Sequence, residues 1–260
     1  MRIRFQGAEA DEHRLEAYEG LKSLDGLIRV ATIATHYAAT GEVRFRAPYS
    51  DLLQTQLNQT RNGSFEFIFD QASRFANVIE GAVARTKAEA LFSRLVARGT
   101  GQEEAQELHV DGEMIPAGDI DAMAEAAEAA LKAAHRWLDR PGKSISIVDG
   151  DQAVKIDSNT KEYVETENLG EMGSQDVSVA ALNVNSKNGR VYMFDIGRTV
   201  PFVVHKDADP RTIANLSQYL SRYARKTGET VSVRFRPVFH IDGRLKRLVI
   251  YDCTDNRDAA

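Results

Sequence analysis

The chain has 260 residues, 43% of them apolar, and a formal net charge of −5. That mild, mixed charge gives no reason to expect the whole molecule to bind nucleic acid or a membrane surface. Its single cysteine, Cys253, excludes an intrachain disulfide framework and makes a cysteine-based zinc site untenable.

The N-terminus, MRIRFQGAEADEHR, lacks the apolar h-region of a signal peptide. No run approaches the roughly 18 apolar residues of a membrane span. A cytoplasmic protein without membrane contact is expected, and this length suggests two domains.

Arg2 to Gln6 alternates as an edge strand, and His13 to Gly20 reads as a second strand or an irregular crossing. Ser23 has the character of a helix N-cap, with Asp25 in the first turn. Leu24, Leu27, Ile28, Ala31, Ala34, Tyr37 and Ala38 follow at helical spacing, and Gly41 is placed to end the helix. Gly26 should weaken that helix by up to ~1 kcal/mol relative to Ala.

Glu42 to Arg46 alternates as a strand closed by Pro48, and Leu53, Thr55 and Leu57 share one strand face. Arg61-Asn62-Gly63 is a hairpin turn sequence, because Asn and Gly tolerate positive φ. Ser64 to Asp70 is the return strand. Residues 71–98 favour helix despite Gly81, and the Gly-rich stretch 99–118 reads as loop. Asp119 to Asp139 forms the clearest helix, with Met123, Ala127, Leu131, Ala134 and Leu138 on one stripe. Pro141-Gly142 stops it and marks the expected domain boundary.

Beyond that point short strands recur: Ser144–Val148, Ala153–Ile156, Lys161–Thr166, Val177–Val184, Arg190–Asp195, Thr199–Val204, Thr230–Arg236 and Leu245–Tyr251. One helix, 209–226, interrupts them; Asp209 and Pro210 start it, and Ile213, Leu216, Leu220 and Tyr223 form its apolar stripe. The fold expected is α+β. Residues 1–140 form an antiparallel sheet (2–70) with helices (71–140), and residues 141–260 a small antiparallel β-barrel-like domain with one helix.

The chemical search excludes more than it finds. There is no GxxxxGK[ST], no GxGxxG after a strand, no HExxH, no GxSxG and no CxxC. Six histidines lack metal-ligand spacing, so no metal site and no cofactor are expected. The acidic pairs Asp119/Asp121, Asp149/Asp151 and Asp207/Asp209 sit at turns or helix starts, where Asp serves the backbone. Cys253 follows the last strand and reads as an inert thiol. His36 lies among apolar helix neighbours and reads as a packing residue.

One charge signal stands out. Between Arg211 and Arg247 nine Lys/Arg face only Glu229 and Asp242. Phosphates are bound by such groups, and Tyr219, Tyr223, Phe235 and Phe239 lie among them as potential stacking partners. Two-residue periodicity puts Val231, Val233 and Phe235 on one face of their strand, and Arg234 and Arg236 on the other. Lys246 shares parity with Leu248, which blurs the pattern in the last strand. The competing reading is a solvated face whose arginines pair with acids of residues 1–140, which carry 16 basic and 22 acidic residues.

The stretches HRLEAYEGLKSLDGLIRVATIATHYAATGEVRF, NGSFEFIFD, GRVYMFDIGRTVPF and DGRLKRLVIYD resemble bacterial conserved hypothetical proteins of unknown function. The resemblance carries no catalytic residues. It implies a small C-terminal barrel and an accessory role in a multi-gene system such as phage defence.

Three functions follow in order. The first is a non-enzymatic scaffold, sensor or regulatory subunit with a protein partner or a homo-oligomeric state. The second is nucleic-acid binding through Arg222, Arg225, Lys226, Arg234, Arg236, Arg244, Lys246 and Arg247, with Tyr223 or Phe239 stacking on bases. The third is a metal-dependent hydrolase or nuclease without a recognised motif, using Asp149, Asp151, Asp157 and Glu162 beside Lys155 and Lys161.

Overall fold

The computed structural model describes residues 2–45, 53–61, 65–73, 81–104, 106–149, 152–225 and 227–254. The chain divides into two compact units, Met1–Glu165 and Thr166–Ala260. The boundary therefore falls 25 residues beyond the Pro-Gly break that the sequence suggests. The reason is pairing: β6 (Ser144–Asp149) lies antiparallel to β1 (Arg2–Gln6), with Ile3 opposite Ile147 and Phe5 opposite Ile145.

The first unit is an antiparallel sheet with helices on one face. Its strand order is β2-β3-β1-β6-β7, with β2 at Leu53–Arg61, β3 at Phe65–Ser73 and β7 at Gln152–Ile156. Alternation in β1 turns Ile3 and Phe5 inward, where Ile145, Ile147 and Ile156 extend the same apolar row. α1 (Ala17–Thr40), α2 (Gly81–Gly99), α3 (Ala117–Ala126) and α4 (Glu128–Ala134) bury that row with Leu27, Leu91, Phe92, Met123 and Leu131. Trp137 sets its ring edge-on to Phe5 at 5.2 Å. The buried ammonium of Lys143 lies 4.5 Å from the Trp137 centroid and pairs with Glu9 and Asp139.

Several local expectations change. α1 starts at Ala17, capped by the Glu16 carboxylate, which accepts from the amides of Tyr18 and Glu19. Residues 17–20 are thus helix, and Ser23 lies inside it; its hydroxyl accepts the Trp137 amide at 2.8 Å. Gly41 does end the helix, with φ 71°. Residues 42–45 form no strand. β2 and β3 pair as a hairpin, whereas its Asn62-Gly63 turn lies outside the described residues.

The 99–118 stretch contains a small hairpin, β4 (Leu108–Val110) with β5 (Glu113–Ile115), turning through Asp111 and Gly112 at positive φ. The 119–139 stripe is buried as expected, but it divides at Ala127 into α3 and α4 and ceases to be helical after Ala134. The strand expected at 161–166 is instead α5 (Ser158–Glu165). Asp157 accepts the Asn159 amide at its start, and Thr160, Tyr163 and Val164 bury at helical spacing.

The second unit is a closed barrel of five strands. β9 (Gly173–Asn183), β10 (Asn188–Met193), β11 (Arg198–Val204), β12 (Val231–Phe239) and β13 (Leu245–Thr254) are joined in the order β9-β10-β11-β13-β12, and β12 returns to β9. All pairs are antiparallel except β11 with β13, which run parallel. β8 (Asn168–Leu169) adds to β12 beyond the ring.

Val177, Val191, Phe202, Val233 and Ile250 fill the barrel, one from each strand. α6 (Thr212–Ala224), between β11 and β12, adds Leu216 and Tyr219 to this core. Of the expected stripe, Leu216 is buried and Ile213 and Leu220 pack half-buried against the core, whereas Tyr223 is exposed and Tyr219 is inside instead. The helix is also shorter than 209–226, because Asp209 and Pro210 lie ahead of its first turn.

Candidate binding face

Seven of the eight basic residues singled out in the sequence lie among the described residues. Arg236, Lys246 and Arg247 gather around the segment 167–170. Arg236 Nε donates to the Gly170 carbonyl at 2.8 Å. Lys246, only 3% exposed, places Nζ 3.0 Å from Glu167 Oε1. Arg247 grips the same carboxylate through Nη1 at 3.1 Å and Nη2 at 2.5 Å. This bidentate geometry favours a planar guanidinium over an ammonium.

Burial pushes the Glu167 carboxyl upward, but the bonds from Arg247 and Lys246 outweigh it and hold the value at about 2. The cluster is thus a charge-paired clamp that ties the lead-in segment to β13. The inward parity of Lys246 is explained by this carboxylate.

Elsewhere Arg222 is folded back, its Nη1 2.7 Å from Glu229 and its guanidinium 4.3 Å from the Tyr219 ring. Arg225 and Arg234 are exposed, and Arg244 is half-buried beside Asp242, which accepts its amide. Lys226 lies outside the described residues. On β12 the expected alternation holds, with Val231, Val233 and Phe235 inside. Phe239 is half-buried and packs under Gly170, while Tyr223 remains in the open. Glu229, which pairs with Arg222, and Glu167, which pairs with Lys246 and Arg247, belong to the same unit as these cations.

The described side chains of the acidic pairs serve the backbone or other side chains. Asp119 accepts from the Tyr37 hydroxyl at 2.6 Å, Asp121 from Arg98 at 2.8 Å, and Asp209 from the Arg211 amide at 2.8 Å. Burial and the Asp119 bond together raise the Tyr37 phenol. Asp157 caps α5, and Lys161 donates to the Leu138 carbonyl. The side chain of Asp149, and Asp151 altogether, lie outside the described residues. Among the described residues no group of three or more His, Cys, Asp or Glu could hold a metal ion. His36 and Cys253 are buried. His135 is buried between the Leu131 carbonyl and the Thr160 hydroxyl.

The most conspicuous outward surface lies on strands that the charge count did not mark. In β10, Val191 and Met193 point inward, so Arg190 and Tyr192 point outward, followed by Phe194. Tyr192 and Phe194 meet edge to face at 5.2 Å, and Phe194 is 54% exposed. On β11 the outward residues are Thr199, Pro201 and Val203, with Thr199 opposite Tyr192. Arg190 Nη2 donates to the carbonyl and hydroxyl of Thr199 at 3.3 and 3.2 Å.

At the end of these strands Ile196 and Ile241 are 43% and 51% exposed. Arg198 donates to the Leu245 carbonyl at 3.2 Å, which brings their two loops to the same end of the barrel. The alternation in RVYMF was the available signal: it assigns both aromatics outward once Val191 and Met193 are taken inward.

Residues 1–114 match the family model described as Domain of unknown function (DUF7946), and residues 171–254 match the Family of unknown function (DUF7947). The second match spans β9 to β13 without remainder, so its domain is the barrel. Both matches agree with the expected resemblance to conserved proteins of unknown function. No curated protein and no solved structure matches the chain. No described helix is long and apolar enough to cross a membrane.

Proposed function

We propose that the chain is a non-enzymatic interaction protein, a cytoplasmic scaffold or regulatory subunit whose barrel is its recognition module. One observation carries this reading. Phe194, Ile196 and Ile241 are exposed, with Tyr192 half-buried on the outer face beside Phe194, while the barrel interior is filled by other apolar side chains. A solvated strand face is ordinarily polar, and clustered outward aromatics mark surfaces that meet a partner. The burial of His36 and His135, and the engagement of Asp121, Asp157 and Glu167 in an ion pair, a helix cap and a clamp, add support.

The test compares wild type with the double variant Tyr192→Ser/Phe194→Ser in size-exclusion chromatography with light scattering. Affinity capture from native lysate accompanies it. Wild type should self-associate or recover a macromolecule that the folded double variant loses. A strictly monomeric wild type with the same recovered set as the variant would overturn the reading.

A further inference from the structure

We infer that the connection between β11 and α6 is a proton-operated latch, in which His205 exchanges the amide of Asp207 for its carboxylate. The latch works whichever partner the barrel meets. Parallel pairing of β11 with β13 sets it up: Val203 stands opposite Val249, and Val204 opposite Ile250. Val204 and Ile250 are buried, so the period of two turns His205 and Tyr251 outward. Their rings stack, with centroids 4.4 Å apart and an interplanar angle of 27°. Backbone bonds pin the chain on both sides of the stack. The His205 amide donates to the Ile250 carbonyl at 2.8 Å, and the Asp209 amide donates to the Tyr251 carbonyl at 3.1 Å.

Between these anchors the chain turns, and the Ala208 amide donates to the His205 carbonyl at 3.1 Å. The imidazole holds the turn from within: the Asp207 amide donates to its Nδ1 at 3.2 Å. A ring nitrogen that accepts a hydrogen bond carries no proton, so this is the neutral ring with its proton on Nε2. The carboxylate of the same Asp207 lies just out of bonding reach, with Oδ2 3.7 Å from Nδ1.

A proton arriving at Nδ1 reverses the choice. The atom becomes a donor, so the amide loses its acceptor and faces a positive charge. The carboxylate is then the better partner, through a charge-assisted bond. The step takes one proton from water and breaks no bond between heavy atoms. The stack survives it, because a cation over the face of a tyrosine ring is attracted to that ring. Histidine suits such a step, since its charge ordinarily changes between about pH 5 and about pH 8.

The other charged groups about the ring are Lys206, Asp209 and Arg211 in its own segment, Asp252 on β13, and Lys187, whose carbonyl accepts the Val204 amide at 2.8 Å. Asp209 is committed to Arg211, accepting its amide at 2.8 Å and its Nε at 3.3 Å. Asp252 accepts the Cys253 amide. Among the described residues, Asp207 is thus the acid within ion-pair reach of His205. The latch governs the segment leading into α6, the helix that carries Leu216 and Tyr219 into the barrel core.

Nuclear magnetic resonance of the isotope-labelled full chain, titrated from about pH 8 to about pH 5, tests this. The His205 ring should show Nδ1 bare and Nε2 protonated at about pH 8, and both nitrogens protonated at about pH 5. The amide resonances of Asp207 and Ala208 should move with the same midpoint as the ring. His205→Phe keeps an aromatic face against Tyr251 but takes no proton. That movement should be lost in it, while the core resonances of Val191 and Val233 stay in place. Asp207→Asn keeps the amide and removes the charge. Its turn amides should exchange like wild type at about pH 8 and several-fold faster than wild type at about pH 5.

A wild-type ring with Nδ1 protonated at about pH 8 overturns the inference. So do Asp207 and Ala208 amides that stay still while the ring titrates, turn amides that still move in His205→Phe, and an Asp207→Asn turn that exchanges like wild type in acid.

Discussion

A methyl group on Gly26 would lie 2.4 Å from the carbonyl oxygen of Ala130. The nitrogen of Ala134 would be only 2.5 Å away. α1 and α4 therefore touch backbone to backbone at this point, and the glycine is what permits the approach.

Intrinsic propensity alone says that Gly26→Ala should stabilise α1 by up to ~1 kcal/mol. The clash involves backbone atoms that cannot rotate away, and overpacking of this kind costs about 1–3 kcal/mol or more. Net destabilisation is expected. Trp137 is the only tryptophan and lies in the same unit, so its fluorescence in urea reads this unit directly. A midpoint equal to or above wild type would refute the close packing of α1 on α4.

The Glu167 clamp gives an acid prediction. Its folded value, about 2, lies below the ordinary 4.5. A depressed carboxyl contributes stability in full above the unfolded value and loses it as pH falls through the folded one. The barrel should thus weaken between about pH 4.5 and about pH 2. Glu167→Gln removes that dependence and leaves Lys246 buried without its carboxylate. Breaking one side of a buried pair costs about 3–5 kcal/mol, and the partial exposure of Glu167 reduces this to about 2–3 kcal/mol at neutral pH. Hydrogen exchange of peptides from β12 and β13 should show faster exchange at neutral pH and a flatter response to acid.

These residues show where sequence reading succeeds and where it stops. Periodicity found the buried stripe of Met123, Leu131 and Leu138, and the inward row of Val231, Val233 and Phe235, because burial in regular elements repeats locally. It could not place the boundary, since the pairing of Ile3 with Ile147 spans most of the first unit. It mistook Ser23 for a cap because a buried serine that accepts the Trp137 amide has the same local character as one that caps. The charge count marked Arg211 to Arg247 correctly as basic. That Lys246 and Arg247 share the Glu167 carboxylate is a tertiary fact that composition does not show.

Gly189 tests barrel closure at the candidate face. An added Cβ would meet the Ala181 carbonyl at 2.0 Å and the Phe202 ring at 2.7 Å. Gly189→Ala must therefore part β9 from β10 or displace a core aromatic, at about 1–3 kcal/mol. Gly243 supplies the contrast: it has φ +82° in the β12–β13 loop and nothing within 4 Å of an added Cβ. Gly243→Ala meets only backbone strain, about 1 kcal/mol. Exchange of the β9 and β10 amides should accelerate in Gly189→Ala and stay near wild type in Gly243→Ala. The reverse order would mean that β9 and β10 do not pair in this register.

His135 supplies the pH dependence of the first unit. The Leu131 carbonyl can only accept, so Nδ1, 2.7 Å away, carries the proton. Nε2 of the neutral ring lies 2.9 Å from the Thr160 hydroxyl, whose one proton is shared between it and the Asp157 carbonyl at 3.0 Å. Burial disfavours the charged form and lowers its value from the ordinary 6.5. The unfolded chain takes up the proton first, so stability is complete above about pH 6.5 and declines as pH falls below it. His135→Gln retains a donor and an acceptor but does not titrate. It should be less stable than wild type at about pH 7.5, yet lose less of its urea midpoint between about pH 7.5 and about pH 5.5. Equal losses in the two proteins, followed by Trp137 fluorescence, would assign the acid sensitivity to another group.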